Sequence, residues 1–227
     1  METNRPIGIG VLGTGAMAKA LGGAFVRAGH RVLVGGRDEE KAHRLAEEIG
    51  AAGGGTLAEA ARFGEAALVA LPGGAAQEVV ASLAGDLRGR VLLDCTVPMA
   101  PGEGGPALTT DGGADSLARR LASAAPGARV VKVFGVCHES IWTLTKPSFE
   151  GAPLGVPYCA DDAAAAALAA ELVATMGCVP VPCGGLERAG LLEARAVFAI
   201  GVWWSGGEAR HVFPSPALAP GAVDDED

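Results

Sequence analysis

Gly13, Gly15 and Ala18 stand in a GxGxxA spacing between an apolar run and a helical pattern. Each small residue suits one task in holding a dinucleotide. Gly13 permits a tight turn, Gly15 lets a pyrophosphate approach the backbone, and Ala18 lets helix and strand pack closely. The phosphates of such a ligand rest on the free N–H groups at the helix start, where Thr14, Ala16 and Met17 complete the turn. The end of the next strand selects the cofactor. An NAD-binding site usually places Asp or Glu there to accept the ribose 2′-hydroxyl. This chain has Gly35-Gly36-Arg37-Asp38. Arg37 can pair with a 2′-phosphate, the two glycines leave space for it, and Lys41 adds charge one helical turn on. Asp38 reads as a helix cap, its carboxylate turned toward backbone N–H groups; turned to the ribose instead, it would favour NAD. NADP(H) is the cofactor expected.

Further chemistry-bearing residues lie beyond this turn. Leu71-Pro72-Gly73-Gly74 closes the expected strand from Ala66 at the carboxyl edge of the sheet, where Leu71 and Pro72 are placed to touch the cofactor. His138 is the best candidate for a general acid, because an imidazole titrates near neutrality, and Glu139 can orient it in a turn. Cys137 as a nucleophile beside His138 is disfavoured, since adjacent residues rarely have the required geometry. Trp142 can stack on a ring or fill the core. Lys132 lies in a strand and would be costly if buried unpaired; a charge contact to a cofactor or an edge position would explain it. No metal site is expected.

Periodicity supplies the elements that position these groups. Strands read at Ile7 to Leu12, Arg31 to Val34, Ala66 to Leu71, Val91 to Asp94, Val130 to Phe134, Val156 to Cys159 and Val179 to Pro182. Helices alternate with them, following Gly15, Asp38, Thr56, Ala75, Asp115 and Asp162. Short links between alternating strands and helices predict an α/β fold: a Rossmann-type, doubly wound, mainly parallel sheet with a small C-terminal helical and α/β portion. Residues 1-135 are expected to form the NADP-binding domain, 136-213 a portion completing the cleft, and 214-227 a disordered tail. Pro98 to Ala114 reads as a long loop, either a surface insertion or a lid. The last helix, Leu186 to Trp204, is apolar on more than one face, which predicts cover by a partner subunit or insertion under the domain.

Bulk properties narrow the class. The chain has 227 residues, 49% of them apolar, and a net charge of −8. That balance, with no basic cluster, argues against nucleic acid or an anionic membrane as partner. No apolar run reaches the roughly 18–20 residues that span a bilayer, and the N-terminus lacks the order of a signal peptide. Five scattered cysteines without a CxxC pair predict free thiols in a reducing cytoplasm.

Taken in order, several segments resemble the deazaflavin-coenzyme (factor 420)-dependent NADP oxidoreductase family. They are Gly10 to Ala18, Val34-Gly35-Gly36-Arg37 with Lys41-Ala42, Leu71-Pro72, Val91 to Pro98, Val131 to Phe134, Cys159 to Asp162 and Leu186 to Glu193. The resemblance covers about residues 6 to 205. It implies hydride transfer between NADP and a deazaflavin coenzyme lying against the nicotinamide, and a homodimer. It places Val97 and Pro98 facing the second ring, with the Leu191-Leu192-Glu193 helix lining or backing the cleft. The family's Phe-Asn-Thr after the sixth strand is replaced by Phe134-Gly135-Val136-Cys137-His138. That departure leaves a small carbonyl or imine compound as a further candidate substrate. A non-catalytic NADP-binding sensor or accessory protein is the alternative of a different class. A pyrroline-carboxylate-reductase-like imine reducer shares the N-terminal turn but requires a long helical C-terminal domain for which too few residues remain.

Overall fold

The computed structural model describes residues 5–149 and 151–207; the tail expected at 214–227 lies outside them. The chain runs β1 (Gly8–Leu12), α1 (Ala16–Arg27), β2 (Arg31–Gly36), α2 (Glu39–Ile49), β3 (Gly53–Thr56), α3 (Leu57–Arg62), β4 (Ala66–Val69), α4 (Gly73–Ser82) and β5 (Val91–Asp94). It continues with β6 (Met99–Gly102), β7 (Gly105–Leu108), α5 (Leu117–Ala124), β8 (Arg129–Lys132), β9 (Ser148–Phe149), β10 (Ala152–Pro153), β11 (Gly155–Ala160), α6 (Ala163–Thr175), β12 (Val179–Pro182) and α7 (Ala189–Trp204). Strand order in the main sheet is β12-β11-β8-β5-β4-β1-β2-β3. From β3 to β8 every pairing is parallel; β11 joins β8 antiparallel and β12 runs parallel to β11. The chain turns outward from β1 in both directions, which opens a crevice between β1 and β4 at the carboxyl edge.

Strand residues alternate between two apolar layers. Ile9, Val11, Leu68 and Leu93 pack with α1, α2 and α6, whereas Leu12, Val69 and Leu92 pack with α3, α4 and α5. Burial on both faces explains why these strands read as continuous apolar runs. The helix ends follow their sequence signals. Asp38 Oδ1 accepts from Lys41 N at 3.0 Å. Gly50 closes α2 at φ +70. Thr56 and Glu59 form a reciprocal capping box on α3.

Three expectations change. The glycine-rich β3, absent from the predicted set, pairs with β2 over Gly53 to Thr56; three consecutive glycines carry no apolar periodicity to read. The stretch expected as a long loop after Pro98 holds the antiparallel hairpin β6–β7, which packs on α7. The last helix is not inserted under the domain. It buries Ala189, Gly190, Glu193, Ala196 and Val197 and leaves Leu191, Phe198, Trp203 and Trp204 exposed.

At the outer edge, β12 donates inward through Val179 N to Leu154 O and Cys183 N to Tyr158 O, at 2.9 and 2.8 Å. The intervening Pro180 and Pro182 therefore lie on the outward-facing side of the strand.

Candidate cofactor edge and hydride-transfer cleft

The glycine-rich turn is built by collision avoidance. Gly13 adopts φ +132, and a Cβ there would strike the Ala70 carbonyl. Gly13 N donates to Gly35 O at 2.8 Å, which ties the turn to the end of β2. Gly15 differs: nothing lies within 4 Å of where its Cβ would stand. That open space fronts the start of α1, which has no side-chain cap and no acidic residue in its first turn. The positive end of α1 thus faces an open approach, as a pyrophosphate requires. Ala18 is fully buried beneath it.

Arg37 is exposed directly after β2, and no hydrogen bond or ion pair engages its side chain among the described residues. Asp38 is held as the α2 cap, so its carboxylate is committed to the backbone. Lys41, Arg44, Lys19 and Thr14 line a groove of about 280 Å³ alongside Gly15 and Ala16. The two glycines before Arg37 do not leave space for a ligand, contrary to the sequence reading. A Cβ on Gly35 would meet Ala60 Cβ at 2.6 Å, and one on Gly36 would meet Thr14 Cγ2 at 2.9 Å. Their smallness admits α3 and the Gly-rich turn.

Further along the edge, Leu71 packs toward Gly13, 3.6 Å from its Cβ position. Pro72 starts α4, again without a side-chain cap. A Cβ on Gly73 would lie 2.9 Å from Val97 O and 3.3 Å from Pro98 Cα. Gly13, Leu71, Pro72, Val97 and Pro98 are therefore brought into one continuous edge. Beyond Val97 lies a narrow crevice, too tight in this structure to admit a water molecule, walled by Thr96, Val97, Gly135, Val136, Leu192 and Ala196. Leu192 and Glu193 line this cleft as expected of their helix, whereas Leu191 points to solvent.

The floor of the cleft holds an ionic cluster. Lys132, Asp94 and Glu193 are all buried. Lys132 Nζ lies 3.0 Å from Asp94 Oδ2, 2.5 Å from Thr96 O and 3.3 Å from Glu193 Oε1. Asp94 Oδ1 accepts from Thr96 N at 2.9 Å and from Thr96 Oγ1 at 2.5 Å. Glu193 accepts from Leu117 N and Ala118 N at the start of α5, at 3.0 and 3.1 Å. Burial works to lower the Lys132 pKa, but the two carboxylates outweigh it and hold the ammonium above its ordinary value. An edge position does not explain Lys132: β8 is interior, between β5 and β11, and the lysine is paired within the protein. Asp94, Thr96 and Glu193 were not singled out in the sequence as its partners; the apolar run ending in Asp94 and the lone Lys132 closing an apolar strand were the available signals.

His138 does not line the cleft. Its side chain is 62% exposed, caps the 3₁₀ turn Glu139–Thr143, and lies 3.2 Å from Glu139 Oε2. Its ring centroid is 6.3 Å from that of Trp203. Cys137 packs against the core, where burial pushes its thiol up to about 11, so it is no nucleophile at neutral pH. Trp142 is fully buried, edge-on to Phe134 at 5.3 Å, and fills the core. Phe134 takes φ +67, a turn that swings Gly135 and Val136 to the cleft wall. No His/Cys/Asp/Glu group among the described residues could hold a metal ion.

Comparison with known proteins accords with this geometry. The family described as NADP oxidoreductase, coenzyme F420-dependent, matches residues 8–98. The F420-dependent NADP reductase of Methanothermobacter marburgensis is 32% identical over 195 residues, covering 80% of this chain and 85% of that protein. Its counterpart in Methanothermobacter thermautotrophicus is 30% identical over 196 residues, 80% of this chain and 82% of that protein. A crystal structure of a candidate F420-dependent NADP reductase from Arthrobacter sp. FB24 superposes with a TM-score of 0.78 at 26% identity, covering 89% of this chain and 96% of that one. A reductive aminase from Aspergillus terreus, solved with NADPH, has a TM-score of 0.60 at 20% identity over 89% of this chain and 63% of that one, a likeness of fold alone. With that identity sustained across four-fifths of its length, on a Rossmann-type sheet with a helical C-terminal part, the chain belongs to the coenzyme F420-dependent NADP oxidoreductases.

Proposed function

We propose that this protein transfers a hydride between NADP(H) and a deazaflavin coenzyme of the F420 type. The observation that carries the substrate class is the cleft beside Val97, whose side chains have no uncommitted proton to give. Lys132 directs its ammonium to Asp94, Thr96 O and Glu193, and the Thr96 hydroxyl donates to Asp94. The remaining walls are apolar side chains or backbone. Reduction of a carbonyl or imine calls for a positioned proton donor. Exchange of a hydride between two rings calls for orientation and exclusion of water.

NADP(H) fits the residues present. The uncapped start of α1 and the open space at Gly15 suit the pyrophosphate, and the unpaired Arg37 with Lys41 suits the 2′-phosphate. Bound there, the nicotinamide would supply or accept two electrons and one proton together as hydride. Leu71, Pro72, Val97 and Pro98 border its path along the edge, and Thr14, Ala16 and Met17 frame the turn. His138, exposed and outside the cleft lining, is not placed to deliver a proton there.

Homodimerisation through α7 is part of this reading, because Leu191, Phe198, Trp203 and Trp204 leave large apolar side chains exposed along it. No helix among the described residues is long and apolar enough to cross a membrane. We place the reaction in the cytoplasm, where the five free cysteines stay reduced.

The test is anaerobic absorbance of oxidised coenzyme F420 mixed with NADPH, with NADH as control. Bleaching that requires NADPH supports the reading. Tight NADPH binding without bleaching removes the deazaflavin and leaves a sensor as the better account.

A further inference from the structure

We propose that the buried Asp94–Lys132–Glu193 cluster is a positioning device that sets where the nicotinamide ring rests. This rests on the reading of the edge as an NADP(H) site. Each member belongs to a different part of the cleft. Asp94 closes β5 and holds Thr96 by both its backbone N–H and its hydroxyl. Lys132 closes β8, directly opposite Asp94 in the parallel register, and takes hold of the Thr96 carbonyl. Glu193 comes from α7, on the other wall, and binds Lys132 as well as the first N–H groups of α5. Thr110, after the β6–β7 hairpin, reaches Glu193 at 3.4 Å. Thr96 is thus gripped at its N–H, its hydroxyl and its carbonyl, immediately before Val97 and Pro98.

Packing alone does not call for this arrangement. Three buried ionic groups carry a large desolvation cost, and hydrophobic residues of similar volume commonly serve stability as well or better. Here the charges instead hold two facing walls in register: the Thr96–Pro98 segment on one side and α7 on the other. Lys132 offers three N–H donors to three acceptors, so the cluster is saturated and moves no proton. Its members are positioning residues, acting through the Val97 backbone and through Leu192 and Ala196, which line the same cleft. The Gly-rich turn follows β1 and Arg37 follows β2, two and three strands from β5, and neither shares a hydrogen bond or ion pair with the cluster, so the phosphate end of the cofactor is held by other groups.

The consequence is a split between affinity and placement. In Glu193→Gln the wall-to-wall ionic link is weakened while size and one acceptor remain. NADPH affinity, set by the phosphates, is expected to stay within about threefold. The fluorescence lifetime of bound NADPH, which reports how firmly the ring is held, is expected to shorten. Single-turnover hydride transfer to oxidised coenzyme F420 is expected to slow by about 10- to 100-fold, the scale for displacement of a reacting centre by about 1 Å. Lys132→Met is the stronger perturbation; should it fail to fold, Glu193→Gln and Thr96→Val carry the test. A folded Glu193→Gln protein whose bound NADPH keeps the wild-type lifetime overturns the proposal. So does a lifetime change matched by an equal loss of affinity, which marks general loosening. Should the wild-type protein bind NADPH yet transfer no hydride to the deazaflavin, the substrate reading falls and the lifetime alone decides this one.

Discussion

Replacing Arg37 by Ala isolates the interaction that separates NADPH from NADH. The guanidinium stands exposed after β2 and has no partner among the described residues. Its removal should therefore change protein stability by no more than about 0.5 kcal/mol, the usual range for a surface site. Any loss of affinity then belongs to the ligand. At about 4 Å and an effective dielectric near 20, a unit charge pair is worth about 4 kcal/mol. Solvent screening and side-chain ordering reduce that to about 1–3 kcal/mol for an exposed charge-assisted contact, or about 5- to 150-fold in Kd. Titration of NADPH and NADH by fluorescence at 50 mM and 500 mM NaCl reads this directly. The expected result is weakened NADPH binding, unchanged NADH binding, and a difference that shrinks at high salt because exposed charges are screened. Equal Kd values for NADPH in the wild-type and Arg37→Ala proteins would refute the assignment of the 2′-phosphate to Arg37. Weaker NADH binding in Asp38→Ala, at unchanged fold, would instead point to the ribose contact that the cap assignment denies.

Other substitutions separate fold from function. Gly13→Ala forces a side chain into the left-handed region and against the Ala70 carbonyl. It should cost about 1–3 kcal/mol from strain alone, lowering Tm by about 2–4 °C per kcal/mol. Gly15→Ala meets nothing in the protein; Tm should hold while NADPH affinity falls, and an unchanged Kd would move the pyrophosphate elsewhere. His138→Ala should leave steady-state turnover within about twofold, since the imidazole is exposed and outside the cleft; a tenfold loss would restore it as the proton donor. His30 is buried, with Nδ1 3.3 Å from Ile7 N and Nε2 2.9 Å from Thr175 Oγ1. Burial lowers its pKa below the ordinary 6.5. The unfolded chain then binds the proton first, so His30 stabilises above about pH 6.5 and loses that contribution as pH falls through the folded pKa. Melting curves from pH 7.5 to 5 should be flatter for His30→Gln than for the wild-type protein.

Much of this architecture could be read from local pattern because local pattern caused it. The runs ending in Leu12, Val69 and Asp94 are buried on both faces, so they stand out from their surroundings. Asp38, Thr56 and Asp162 announced helix starts by the cap chemistry they perform, whereas the helix read from Asp115 is capped one residue later, by Ser116. What escaped was non-local. The reason for Gly35 lies in the approach of α3, distant in sequence from β2. The pairing of Lys132 with Asp94 and Glu193 joins three segments 38 and 61 residues apart, as 132 − 94 and 193 − 132. Hairpin β6–β7 is built from Pro and Gly, whose composition reads as loop and whose order comes from contact with α7. The GxGxxA turn was legible as a binding site because its residues act through their own backbone; the cleft beside Val97 was not, since four segments make its walls.

The prolines of β12 bear on how the molecule meets its neighbours. A free sheet edge is a template on which another chain's strand can add, and its outward N–H groups are half of that template. At Pro180 and Pro182 those donors do not exist. The far edge is β3, four residues of which three are glycine, too short and featureless to guide a register. Self-recognition through strand addition is thus blocked at one end of the sheet and poorly specified at the other. Association in a crowded cell is left to side-chain surfaces, where it can be reversible and of defined stoichiometry, and the sheet itself is kept out of open-ended aggregates.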